Sequence, residues 1–255
     1  MTQRWPDELW VVRHGESAGN VARDQAYADG LAVIDVAQRD VDVPLSALGE
    51  RQADALGGWF AGLPEAARPT SVLTSPYRRA MQTAHRIARA GGLVPNAPTT
   101  IDERLREREF GVLDGLTKVG IEERFPELAA LRARIGKFYF RPPGGESWCD
   151  VILRLRSVVD TISIHHSRRG ARLLVVAHQV IVLCMRYLIE ELTEQEILAV
   201  DRAAEVANCG VTHYVLERDG APGPRLHLAT YNFTAPLEEG GAPVTSRPDE
   251  PAGAK

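Results

Sequence analysis

The sequence predicts an α/β fold, a three-layer α/β/α sandwich around a mostly parallel central sheet. Two observations carry this. Short, continuous apolar runs recur along the chain, and most are followed by a stretch with helical periodicity. Continuous runs, unlike alternating ones, suit strands covered on both faces. The composition agrees: 255 residues, 44% hydrophobic and 25% charged, is an ordinary globular balance that excludes a disordered or fibrous chain.

The elements follow in order. Leu9-Trp10-Val11-Val12 reads as a buried strand, with Arg13, His14 and Gly15 crowded at its end. Residues 46–61 read as a helix with Ser46 as its N-cap and Glu50 in its first turn. Residues 70–75 form a second strand, and Pro76 opens a helix that Gly91 and Gly92 stop near residue 90. Residues 99–102 read as a further short strand. Residues 118–138 read as helical though highly charged, and 147–167 as a long amphipathic helix. Leu173 to Ala177 is the most apolar strand, and 180–191 the helix behind it. Residues 211–218 and 225–231 alternate apolar and polar residues around a Gly- and Pro-rich turn, the pattern of a hairpin at a sheet edge. Residues 21–41 read as a loop. Residues 233–255 hold four prolines and three glycines and read as a disordered tail, leaving one domain over 1–232.

The charge balance, 30 Lys and Arg against 34 Asp and Glu, gives a net −4 and no footprint for nucleic-acid binding. No run of 18 apolar residues predicts a membrane span. Three scattered cysteines, Cys149, Cys184 and Cys209, make neither a disulfide framework nor a CxxC zinc site. With no apolar signal core behind the charged N-terminus, the expected compartment is the cytoplasm.

Open parallel sheets bind ligands beyond the carboxyl ends of their strands. Two predicted strands deliver histidines there, His14 and His178, the first beside Arg13. Arg79 begins the helix after the second strand, and Gln82, Thr83 and Arg86 share its stripe. Alone that stripe is a solvated face. Near a strand end, Arg79 and Arg13 converge on one spot, as two guanidiniums do around a phosphate. His85, His165, His166, His213 and His227 read as solvated or packing residues.

Arg13-His14-Gly15-Glu16-Ser17 with Asn20 resembles the signature of the histidine phosphatase superfamily, also called phosphoglycerate mutase-like. Pro44 to Gly49, Ser75 to Ala84, Leu105-Arg106-Glu107 with Phe110-Gly111, Gly145-Glu146-Ser147 and Val175 to His178 resemble its later blocks, in order. The resemblance implies a phosphoglycerate mutase-like fold and a phosphatase that needs no metal and no cofactor. It implies His14 as the nucleophile that takes the phosphoryl group. Arg13, Arg79 and His178 complete the phosphate pocket, with Ser17 and Asn20 adding hydrogen bonds. Arg78 competes with Arg79 for its role, and Arg79 is preferred because Ala80 follows it. Glu107 is the implied proton donor, chosen over Glu103 and Glu109 by motif position. Such an acid needs burial or a neighbouring negative phosphate to stay protonated at neutral pH.

The segment from Gly115 to Ser147 is similar to the fructose-2,6-bisphosphatase domain, and His178-Gln179 strengthens that likeness. There Lys137 and Gln179 stand at substrate-binding positions. Arg132 and Arg134 are each one residue off the expected arginine, and Leu183 replaces another, so that substrate is not implied. Residues 108–144 are the expected lid. The expected activity is hydrolysis of phosphomonoesters of small metabolites through a phosphohistidine. The alternatives are a 2,3-bisphosphoglycerate-dependent phosphoglycerate mutase and an inactive phosphate-binding scaffold. A small phosphorylated metabolite is the expected partner, with no nucleic acid and no membrane, and the edge hairpin offers a surface for a homodimer.

Overall fold

A computed structural model describes residues 5–218 and 223–246. The strands are β1 (Glu8–Arg13), β2 (Ser71–Thr74), β3 (Thr99–Ile101), β4 (Arg172–Ala177), β5 (Val211–Glu217) and β6 (Arg225–Phe233). They form one sheet in the order β3-β2-β4-β1-β5-β6. β3, β2, β4 and β1 run parallel, and β5 turns back antiparallel to β1 with β6 antiparallel beside it. The mostly parallel sheet is therefore present, with the hairpin strands at one edge. The turn between them falls on 219–222, outside the described residues.

The helices are α1 (Ala18–Ala28), α2 (Ala47–Gly62), α3 (Arg78–Arg89), α4 (Lys118–Arg124), α5 (Pro126–Ile135), α6 (Trp148–His165), α7 (Gln179–Ile189), α8 (Glu194–Ala203) and α9 (Ala235–Glu239). Alternation along the buried strands fixes the layers. Leu9 and Val11 of β1, with Leu173 and Val175 of β4, meet α6 and α7 in one core. Trp10 and Val12, with Leu174 and Val176, meet α2, α3 and α9 in the other. Because both faces are covered, the strands carry apolar residues without a gap.

Three expectations change. Residues 21–41 are not all loop: Ser17 and Asn20 cap each other's backbone reciprocally and start α1, which runs to Ala28. The helical stretch 118–138 is two helices, because Pro126 cannot continue α4 but suits the first turn of α5. The disordered tail does not begin at 233. Phe233 ends β6, α9 follows, and Leu237 and Ala242 are buried against α2 and the sheet. Gln52 Nε2 donates to the Pro243 carbonyl and to Thr245 Oγ1, each at 2.9 Å. Prolines and glycines marked turns here, and two apolar anchors sufficed to dock them. Residues 247–255 lie outside the described residues.

Candidate active site

The register of the central strands builds the site. Arg13 pairs with Ala177, and Thr74 with Val176, so His14, His178 and Ser75 emerge together at the carboxyl edge of β1, β4 and β2. His14 N–H donates to the Ala177 carbonyl at 2.9 Å, extending the ladder one residue beyond β1. Asn208 Nδ2 donates to the His14 carbonyl at 3.1 Å, and Cys209 N–H to that of Arg13 at 3.0 Å. The backbone of the Arg13-His14 pair is therefore clamped from both sides.

Two glycines let the next residues turn away. A Cβ on Gly49 would lie 1.9 Å from the Glu16 carbonyl oxygen, and one on Gly15 would lie 2.5 Å from that of Gly49. The start of α2 thus packs directly onto the loop after β1. Gln52 Oε1 accepts from Glu16 N–H at 2.8 Å, and Ser46 Oγ donates to Glu16 Oε1 at 2.6 Å.

His14 is fully buried, and its ring is fixed at both nitrogens. Nδ1 lies 2.7 Å from the Gly15 carbonyl, which can only accept, so Nδ1 carries the proton. Nε2 then offers its lone pair, and Arg79 Nε points at it from 3.2 Å. The His178 ring stands 5.1 Å away, edge to face, with its Nε2 2.7 Å from Ser75 Oγ. Arg79 is 3% exposed and turned to His14, whereas Arg78 is exposed. The stripe on α3 is structural: Thr83 Oγ1 accepts from Gly15 N–H, Gln82 Oε1 from Leu45 N–H, and Arg86 pairs with Asp54. Glu107 is 1% exposed, while Glu103 and Glu109 are exposed. Glu107, Arg79, Ser17 and Asn20 line one cavity of about 140 Å³. Arg13 is fully buried, with Nη1 donating to the Val206 carbonyl at 2.6 Å.

The family described as the histidine phosphatase superfamily (branch 1) matches residues 9–227. The chain belongs to this superfamily. Among curated relatives, the chain is 31% identical over 180 residues to a 6-phosphofructo-2-kinase/fructose-2,6-bisphosphatase of Caenorhabditis elegans, covering 71% of this chain and 33% of that protein. It is 38% identical over 173 residues to the bifunctional protein Rv2228c of Mycobacterium tuberculosis, covering 68% and 41%. It therefore spans well under half the length of these relatives. Among solved structures, the mycobacterial glucosyl-3-phosphoglycerate phosphatase Rv2419c with VO3 superposes with a TM-score of 0.66 at 26% identity, over 89% of this chain and 99% of that one. Bacillus stearothermophilus YhfR gives 0.68 at 26% identity, over 90% and 98%.

In this member of the superfamily, Lys137 does not line the cavity shared by Arg79 and Glu107. Lys137 follows Gly136, whose φ of 84° turns the chain out of α5. Its Nζ lies 2.8 Å from Asp201 of α8 and 5.1 Å above the Trp148 ring. It lines a separate cavity of about 520 Å³ together with Arg132. Gln179 follows His178, but its amide donates to Glu205 Oε2.

Other residues at the site were not singled out from sequence. Ser75 orients His178. The Tyr77 ring lies 4.9 Å from the His178 ring and 4.8 Å from the Arg79 guanidinium carbon. Burial, with Glu109 and Asp40 nearby, pushes the Tyr77 hydroxyl far above its usual range, so it stays neutral. Arg23 and Asp40 line the cavity, and Asp40 grips Arg79. Position in the second signature could have flagged Ser75 and Tyr77. Nothing local marks Arg23 or Asp40, which reach the site through tertiary folding of residues 18–43.

Proposed function

We propose that the protein is a phosphatase that hydrolyses phosphomonoesters of small metabolites through a phosphohistidine at His14, without a metal ion. The observation that supports this most is the His14 ring: Nδ1 held by a carbonyl, Nε2 turned to Arg79 and flanked by His178. A neutral imidazole oriented so can attack phosphorus.

In the first step the Nε2 lone pair forms the N–P bond while the bond from phosphorus to the ester oxygen breaks. Glu107, protonated, gives its proton to the departing oxygen. In the second step water attacks the phosphohistidine, the carboxylate of Glu107 takes the proton, and inorganic phosphate leaves with His14 restored. Phosphoryl transfer depends on position and charge more than on further covalent chemistry. Arg79, Arg13 and His178 supply that charge around the transferring oxygens. Phe110, Asp114, Gly115 and Leu116 of the lid segment line the cavity, and Arg108 donates to the Glu146 carbonyl, tying the start of this segment to the loop before α6. The solved glucosyl-3-phosphoglycerate phosphatase supports a small phosphorylated metabolite as the substrate class. The distance of Lys137 from the catalytic cavity argues against a substrate with a second phosphate held by that residue.

The test is phosphate release from a panel of phosphorylated metabolites by wild type and His14→Ala. Wild type should turn over at least one compound, and the variant should lose on the order of 10³-fold or more. A His14→Ala protein with full activity would refute the reading. Conversion of 3-phosphoglycerate in the presence of 2,3-bisphosphoglycerate, without net hydrolysis, would replace it with the mutase.

A further inference from the structure

The segment between α1 and α2 lines the cavity shared with Arg79 and Glu107 and is pinned at both ends. On one side Thr117 N–H donates to the Ala32 carbonyl, Thr117 Oγ1 to that of Leu31, and Ile34 N–H to that of Gly115. On the other, Ala18 N–H donates to the Pro44 carbonyl and Ser46 N–H to that of Glu16. Between the pins, residues 35–42 are partly or fully exposed. Their middle is fastened to Arg79. Arg79 Nη1 donates to the Asp40 carbonyl at 2.7 Å and to Oδ1 at 2.8 Å, and Nη2 donates to Oδ2 at 3.2 Å.

With Nε directed at His14, the two Nη groups form the edge with which a guanidinium grips two oxygens of an anion. The Asp40 carboxylate holds that edge. We propose that Asp40 is an internal anion occupying the phosphate's place on Arg79, and that an incoming phosphate displaces it and lifts residues 35–42 from the cavity. This rests on the reading of Arg79 as a phosphate ligand.

Size and charge support it. The cavity of about 140 Å³ is well below the roughly 300–1,000 Å³ of ordinary ligand sites, and Ile34, Val36, Gln38 and Asp40 form part of its wall. Moving that wall would widen the cavity for a phosphorylated metabolite. The Arg79 side chain is 4% exposed and held bidentately, while the Asp40 side chain is 42% exposed, so water can reach and solvate the carboxylate once a stronger anion takes its place. A phosphomonoester dianion carries more charge than the carboxylate and also meets His14 and His178. A monoanionic phosphodiester has less charge with which to compete. Asp40 thereby determines specificity by setting a threshold that favours dianionic monoesters.

Calorimetric titration with inorganic phosphate tests this on wild type, Asp40→Asn and Asp42→Asn. Asp42 pairs with Arg39 and serves as the control. Asp40→Asn should bind phosphate about tenfold more tightly, because the fraction of sites with a free Arg79 edge rises. Asp42→Asn should match wild type. In wild type, saturating phosphate should speed amide exchange across residues 35–42. Unchanged or weaker binding by Asp40→Asn, or slower exchange in that segment, would overturn the proposal. A wild-type protein that binds no phosphate would remove its basis. Tighter binding by Asp40→Asn in a protein that hydrolyses nothing would refute the phosphatase reading and leave the displacement standing.

Discussion

The Gly15 carbonyl holds the proton of His14 on Nδ1, and a backbone bond of this kind sets the tautomer without an acidic partner. The proposed nucleophile is thus oriented by its own loop, and the loop is held by Thr83 of α3, Gln52 of α2 and Ser46, the N-cap of α2. Another buried charge shapes the region behind Glu107. Burial would raise the Glu146 carboxyl, but the Arg154 guanidinium, with help from the Glu109 amide and Arg106, outweighs it and holds the pKa below the usual glutamate value. A lowered folded pKa gives stability that is present above the unfolded value of about 4.3 and lost as pH falls through the folded one. Glu146→Gln should therefore flatten the acid side of the stability profile and cost about 1–3 kcal/mol at neutral pH, where Arg106 and Arg154 lose a charged acceptor. Urea unfolding at pH 3 to 7 measures both effects. An unchanged acid limb would contradict the assignment.

Among the elements, the parallel strands and the helices on either face were legible because buried strands and amphipathic helices have distinct periods. Glu8–Arg13, Ser71–Thr74 and Arg172–Ala177 fall within a residue or two of their predicted spans. The same strands carried the site, since His14 and His178 sit one residue past their ends. Less legible were elements whose signal was short-range capping. Ser17 with Asn20 starts α1 and Thr193 with Glu196 starts α8, yet neither helix stands out in the sequence, because their buried positions carry little apolar signal: Asn20, Arg23 and Ala26 in α1, Ile197 in α8. The contact between α2 and the loop after β1 depends on Gly49. Gly49→Ala puts a methyl 1.9 Å from a carbonyl oxygen that belongs to backbone and cannot rotate away. A loss of about 1–3 kcal/mol is expected, as for overpacked sites, together with reduced activity because the Glu16 backbone must shift. Chemical denaturation and phosphate release should fall together. Loss of stability with unchanged activity would show that this contact does not position the site.

For the molecule as a whole, 233–246 is part of the sandwich. Its composition read as a tail because turn residues outnumber apolar ones, but burial depends on where the few apolar residues land. Leu237 is fully buried between α2 and the sheet, and Gly240 packs on Ala55. Leu237→Ala should cost about 2–5 kcal/mol, the range for an emptied core site, and lower the thermal midpoint by several degrees. A change under ~0.5 kcal/mol would return this segment to the status of a tail. Lys137 and Asp40 mark what motif spacing does not reach: motif position placed Lys137 at the substrate, and tertiary packing pairs it with Asp201, while Asp40 arrives from a stretch with no recognisable pattern. The central claim, that His14 carries the phosphoryl group, is tested most directly by rapid acid-free quench of wild type turning over its best phosphomonoester, followed by mass spectrometry of the peptides. The account predicts a phosphoryl group on the peptide containing His14, on the imidazole nitrogen, and none in His14→Ala. A phosphoryl group on another residue, or turnover with none on His14 at any quench time, would contradict it.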